Sequence, residues 1–182
     1  FFAADPDLHW KALLRHFQPR KPLIAAVEGY AVAGGTEILQ AMDLRVAGES
    51  AIFGVAEVRR GLFPLGGSTV RLRRQIPYTV AAEMLLTGRQ MSASEAKDVG
   101  LIGHVVPDGG ALAKARALAD EIAANAPLAV QAVLASLRGS ANVGEADALA
   151  QELEHGWPVF ATNDAKEGAT AFAEKRPANF SG

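Results

Sequence analysis

The segment PLIAAVEGYAV, residues 22–32, followed at once by AGG and then TEILQAM, constrains the fold most. A continuous apolar run of strand length, ended by glycine, fits a strand buried on both faces, as in a parallel sheet covered by helices. Gly34 and Gly35 supply a tight turn, with a helix expected to begin about there. Residues 43–47 and 51–55 read as two further short strands, and from residue 66 the pattern turns mostly helical. Ser92 with Glu95 three positions on is a capping box, and Gly100 is a natural helix stop. The stretch from His104 to Pro107 reads as one more strand before Asp108, Gly109 and Gly110 turn the chain. Alanine-rich helices follow: one from Ala111 to Asn125, one entered at Pro127 as its first residue, and two more after Gly144 and near Asp164. At the other end an amphipathic helix is expected over 7–17, stopped by Pro19 and Pro22. Strands come first and helices last. The economical reading is an α/β core, residues 1–125, with a helical C-terminal appendage, residues 126–182.

Bulk properties narrow the function. With 182 residues, 49% hydrophobic and 21% charged, the chain suits one globular domain, or one domain plus an appendage. A net charge of -2 gives no footprint for nucleic acid. The absence of cysteine removes disulfides, thiolate metal sites and thiol nucleophiles, and is compatible with a reducing cytoplasm. No apolar run is long enough for a bilayer-spanning helix. The chain starts at Phe1 without methionine and runs straight into a helical pattern, which reads as the remaining part of a longer protein.

Familiar catalytic signatures are missing. There is no dinucleotide or phosphate-binding glycine loop, no G-x-S-x-G elbow, and His9, His16, His104 and His155 lack metal-ligand spacing. Two glutamates remain. Glu37 follows two glycines and precedes Ile38 and Leu39, so apolar neighbours would desolvate it and move its pKa toward general acid–base use. The plainer reading is a first-turn carboxylate that favours the positive end of a helix. Gly34 and Gly35 leave backbone amides open to a ligand, which is how an oxyanion site is built. Glu57 ends AIFGVAE, and strict alternation puts it on the face of Phe53 and Val55. The plainer alternative is a strand-end charge in solvent, paired with Arg59 or Arg60. Arg71, Arg73 and Arg74 read as a solvated helix face or, less simply, as a site for an anion. FAEKRP, 172–177, reads as a frayed charged end or as a contact for a phosphate-bearing ligand.

These residues carry a resemblance. KPLIAAVEGYAVAGGTEILQAMDLRVAGESAIFGVAEVRRGLFP, then LLTGRQMSASEAKDVGLIGHVV, then DAKEGATAFAEKRPANF resemble, in that order, the crotonase or enoyl-CoA hydratase/isomerase superfamily. The resemblance implies a core of repeated ββα turns, with C-terminal helices that assemble homotrimers or dimers of trimers. It implies an acyl-CoA thioester substrate, with no metal and no separate cofactor. By position, Gly34 corresponds to an oxyanion donor, and Glu37 and Glu57 to the two catalytic glutamates of the hydratases. Phe172 and Lys175 fall in the stretch that approaches CoA bound to a neighbouring subunit. The first oxyanion donor would lie before Phe1.

The reaction so implied is hydration of a trans-2-enoyl-CoA in fatty-acid metabolism, with Glu37 as base toward water and Glu57 as acid toward C2. An isomerase and a non-catalytic acyl-CoA binder are the competing readings. Three departures stand out: Ala33 where a glycine is usual, and Leu65 and Ser68 where the glycine-rich segment is altered.

Overall fold

The structure is a computed structural model and describes residues 5–182. The chain divides into two compact units, one running to Arg116 and the other covering Ala117–Gly182.

The first unit begins with a short helix, α1 (Leu8–Ala12). Two strands, β1 (Ile24–Val27) and β2 (Tyr30–Val32), then lead into helix α2 (Gly34–Leu39). Strands β3 (Leu44–Gly48) and β4 (Ile52–Gly54) repeat the pattern and are followed by α3 (Ser68–Gln75) and α4 (Tyr78–Thr87). Strand β5 (Gln90–Ser92), α5 (Ala93–Asp98) and β6 (His104–Val106) follow, and α6 (Ala111–Ala123) runs from the first unit into the second. The strands form two three-stranded sheets, ordered β1-β3-β6 and β2-β4-β5. The pairs β1–β2 and β3–β4 therefore each contribute one strand to each sheet before a helix closes the turn. This is the ββα repeat. The β1–β3 and β3–β6 pairs are parallel, with Ile24 opposite Leu44 and Val46 opposite His104. In the other sheet β2 and β4 are parallel, with Ala31 opposite Phe53, while β5 pairs antiparallel to β4.

Between these elements Leu39, Phe53, Leu72, Met84, Met91 and Leu101 lie buried at no more than 2% exposure and form the core. Arg45 ties the end of α2 to this core. Its guanidinium donates to the carbonyls of Gln40, Met42 and Leu101, and burial lowers its pKa to about 10. Ser92 caps α5 as expected, with the Glu95 N–H donating to Ser92 Oγ at 3.2 Å, while Glu95 Oε1 accepts from Arg89 Nη2 at 2.6 Å.

Three expectations change. PLIAAVEGYAV is two strands in different sheets, because Gly29 adopts φ 68 and turns the chain between them. Neither strand is sealed on both faces, and Tyr30 is 75% exposed. The first helix stops at Ala12 rather than Phe17, since Leu14 takes the left-handed conformation at φ 50. Arg71 satisfies the carbonyls released there, donating to Leu13 at 2.8 Å and to Leu14 at 2.9 Å. Glu57 is on no strand: β4 ends at Gly54, and Glu57 opens a short 3₁₀ turn to Arg60.

The second unit contains α7 (Pro127–Gly139), α8 (Glu145–Phe160) and α9 (Asn163–Glu174). Thr162 caps α9, accepting from the Ala165 N–H at 3.1 Å. The charged tail is not frayed. Arg176 pairs with Glu167 at 2.6 Å, and the buried Asp164 accepts from the N–H groups of Ser181 and Gly182 at 2.8 and 3.0 Å. Leu149, Leu153, Trp157 and Phe160 form an exposed apolar stripe on α8, at the three- and four-residue spacing of one helix face. Among the described residues no helix is long and apolar enough to cross a membrane.

Candidate active site

The site begins at the β2–α2 junction. Ala33 occupies φ 51, ψ -124, a conformation that glycine adopts freely and alanine does not. Its N–H donates to the Gly54 carbonyl at 2.7 Å, which holds the strained residue against β4. Thr36, fully buried, locks the same turn. Its hydroxyl donates to the Ala31 carbonyl and accepts from the Gly54 N–H at 2.9 Å. The helix therefore starts at Gly34, where the glycine turn was expected to lead into it. Gly34 is exposed, and a Cβ added there would meet nothing within 4 Å. Its N–H, in the first turn, has no intrahelical acceptor.

Glu37 points inward from this first turn and is 5% exposed. The Ser68 N–H, at the start of α3, donates to its Oε1 at 3.3 Å. Gly66 lies flat against the same side chain. A Cβ there would sit 2.6 Å from Glu37 Cδ and 2.9 Å from its Cβ, so any larger residue would collide with the glutamate. A polar set backs the contact: Gln40 Nε2 donates to Ser68 Oγ at 2.9 Å, and Gln75 Nε2 donates to the Gln40 carbonyl at 2.8 Å. Ser68 is fully buried and Gln40 nearly so.

Glu57 reaches the same region from the 3₁₀ turn. Its Oε2 is buried and has no hydrogen-bond partner. Burial pushes its carboxyl above the usual glutamate range, and the nearby charge of Glu37 adds to the shift. The pairing with Arg59 or Arg60 does not form among the described residues; Arg59 donates instead to the Thr87 carbonyl at 2.9 Å. The fold thus brings two carboxyl groups into mutual electrostatic reach under different conditions. One accepts an amide hydrogen bond, and the other has an orphaned oxygen that favours the protonated form.

Of the remaining candidates, Arg71 turns in to hold Leu13 and Leu14, while Arg73 and Arg74 are exposed. Phe172 and Lys175 lie at the end of α9 in the second unit. Phe172 is 86% exposed, and Lys175 ends the helix in the left-handed conformation. Thr36, Gln40 and Gly66 carry no sequence signal of a role, and Ser68 shows in the sequence as a departure from a glycine pattern. Among the described residues no group of three or more His, Asp or Glu side chains is placed to hold a metal ion.

Residues 4–182 match the family described as enoyl-CoA hydratase/isomerase. The chain belongs to that family. It is 61% identical over 169 residues to enoyl-CoA hydratase EchA19 of Mycobacterium tuberculosis, covering 93% of this chain and 64% of that protein. It is 39% identical over 197 residues to 2,3-dehydroadipyl-CoA hydratase of Escherichia coli, covering all of this chain and 77% of the relative. Among solved structures, an enoyl-CoA hydratase from Mycobacterium tuberculosis superimposes with a TM-score of 0.88 at 48% identity, over 90% of this chain and 65% of that one. The ββα turns of the first unit are therefore those of the crotonase fold. The chain spans just under two thirds of EchA19's length.

Proposed function

We propose that the protein hydrates a trans-2-enoyl-CoA to a 3-hydroxyacyl-CoA, with Glu37 and Glu57 holding the water between them. The observation that carries this reading is the unequal pair of carboxyl groups. Glu37 receives an N–H from Ser68, while Glu57 keeps a buried, unpaired oxygen and a raised pKa. One carboxylate held by a backbone amide, beside a second carboxyl that burial biases toward its protonated form, suits a paired base and acid.

In this reading the thioester carbonyl oxygen accepts from the Gly34 N–H, in the open space that the glycine leaves. Charge developing on that oxygen during addition is stabilised by such a donor. Glu37 removes a proton from water as its oxygen bonds to C3. Glu57 gives its proton to C2, and the electron pair of the enolate takes it up. The product holds one added water, and proton exchange between the two glutamates through solvent resets the site. CoA is part of the substrate, so no separate cofactor enters.

Support for the substrate class comes from the relatives, whose names specify enoyl-CoA or 2,3-dehydroadipyl-CoA hydratases. Phe172 and Lys175 stand as candidate contacts for CoA held by a neighbouring subunit of a homotrimer or a dimer of trimers. The apolar stripe on α8 and the exposed Val133 and Leu137 on α7 suit burial in such an assembly. A thioester of CoA and a cysteine-free chain fit a cytoplasmic setting. The test is turnover of a short and a long trans-2-enoyl-CoA by the full chain, followed as loss of the conjugated thioester absorbance. Hydration of at least one is expected. Acyl-CoA binding with no water addition to either would leave a binder or an isomerase in its place.

A further inference from the structure

The glycine loop that touches Glu37 also forms one wall of a cavity. Gly66 lies against the glutamate, while Leu65 and Gly67 on either side of it line a space of about 320 Å3. Arg15, Phe63, Thr69, Val70 and Arg71 complete much of its wall. Counting about 30 Å3 for each water, the volume is that of roughly ten waters, enough for an acyl tail. Apolar side chains dominate the mouth, with Phe63, Leu65 and Val70 at 63%, 57% and 47% exposure.

The two arginines make this more than a greasy slot. Arg71 donates Nη1 and Nη2 to the carbonyls of Leu13 and Leu14, and Arg15 donates Nη1 to the Leu65 carbonyl. A guanidinium carries five N–H donors in a fixed fork, so both keep donors in hand. Arg15 also lies 4.9 Å over the ring of Trp10, which steadies it. Among the described residues neither arginine forms an ion pair with a carboxylate. His16, the other basic group of the wall, is taken up by Asp7 at 2.7 Å. Burial lowers the pKa of Arg71, the positive charge of Arg15 adds to that, and Glu37 is the acidic group that opposes both. Two guanidinium groups at one apolar cavity, with spare donors and no carboxylate in direct contact among the described residues, leave a place for an acceptor oxygen.

We propose that this cavity receives an acyl tail whose far end carries an acceptor oxygen, a carboxylate above all, and that Arg15 and Arg71 read it. The inference rests on the acyl-CoA reading above and adds the class of acyl group. A plain alkyl tail would fill the apolar wall and leave the guanidinium donors to solvent. A carboxylate would meet both the charge and the fork geometry.

The experiment compares dissociation constants of three saturated thioesters of equal chain length, adipoyl-CoA, 5-oxohexanoyl-CoA and hexanoyl-CoA, with free CoA as reference. Binding of these esters is read by calorimetry and needs no turnover. Adipoyl-CoA is expected to bind about tenfold tighter than hexanoyl-CoA, the lower end for hydrogen bonds to a charged group, with the ketone between them. Arg15→Met should bring adipoyl-CoA close to hexanoyl-CoA and leave free CoA unchanged. Equal binding of the three esters by the natural protein overturns the inference, and this arm needs no variant to fold. A uniform loss across all esters and free CoA in Arg15→Met also overturns it, since the arginine would then serve the CoA phosphates. Failure here with trans-2-enoyl-CoA still hydrated leaves the hydratase reading standing. A carboxylate preference without any hydration would do the reverse.

Discussion

Gly66→Ala is the sharpest test of how the site is held. The added methyl would lie 2.6 Å from Glu37 Cδ and 2.9 Å from Glu37 Cβ, well inside ordinary contact. Swinging the carboxyl group aside relieves the first clash and not the second, because Cβ is fixed to α2. Helix α2 or the loop before α3 must therefore shift. Overpacking of one methyl into such a place costs about 1–3 kcal/mol. At about 2–4 °C per kcal/mol for a chain of this size, the melting temperature should fall by roughly 2–12 °C. The larger effect is on rate. On the proposed mechanism, moving Glu37 away from the Ser68 N–H displaces the general base, worth about 10²–10⁴-fold in turnover.

The assay pairs steady-state hydration of a trans-2-enoyl-CoA with thermal unfolding of the same preparation. Gly34→Ala is the control for stability, since a Cβ there meets nothing within 4 Å and alanine is the better helix former. Gly34→Ala should melt at or slightly above the natural protein, and its methyl should hinder the thioester rather than the fold. A Gly66→Ala protein with natural turnover and natural melting temperature would refute the claim that the glycine makes room for Glu37.

Four further outcomes are expected. Glu57→Gln should lower hydration by about 10²–10⁴-fold while leaving acyl-CoA binding nearly intact, because the amide keeps the shape and has no acidic proton to give. Its stability should also change with pH: a carboxyl whose folded pKa is raised contributes stability below its unfolded pKa and loses it as pH rises through the folded value. Glu57→Gln should therefore gain stability relative to the natural protein on going from acid to neutral pH, and parallel stability curves would show that burial does not tax this carboxylate. Ala33→Gly should relieve a positive-φ strain of about 1–3 kcal/mol, less roughly 0.5–1 kcal/mol for the added freedom of glycine in the unfolded chain; denaturant unfolding that shows a loss would contradict the strain. Light scattering at working concentration should give a three-fold assembly, and a monomer would leave the apolar stripe of α8 without the proposed cover.

The strand-rich first part and helical second part were legible because they rest on local signals. Apolar runs punctuated by glycine, the Ser92–Glu95 capping box and Pro127 each act within a few residues. The break at Gly29 was hidden for the same reason. Apolar residues continue on both sides of it, and nothing in the hydrophobic pattern says that they enter different sheets. Glu57 was singled out through an alternation that stops at Gly54, so the residue was found and its element was not. The supports of Glu37 were least visible. Ser68 and Glu37 are 31 positions apart, and their contact exists because α2 and the loop before α3 meet in the fold. A glycine whose value lies in what it does not touch leaves no sequence mark beyond being a glycine.

The same geometry gives the two carboxyl groups different surroundings. Two glutamates side by side repel when both are ionised, and relief requires one to keep its proton more readily. The fold decides which. Glu37 has a backbone donor, supplied by the first residue of α3 and set by the Gln40–Ser68 contact behind it. Glu57 has a buried oxygen with no donor at all. The difference lies less in the glutamates than in the backbone around them, since Gly66 lets one approach the Ser68 amide while the 3₁₀ turn leaves Oε2 of the other without a donor. A substitution that supplied Glu57 Oε2 with a donor would lower the pKa that burial raises, and on the proposed mechanism would change the transfer of its proton to carbon.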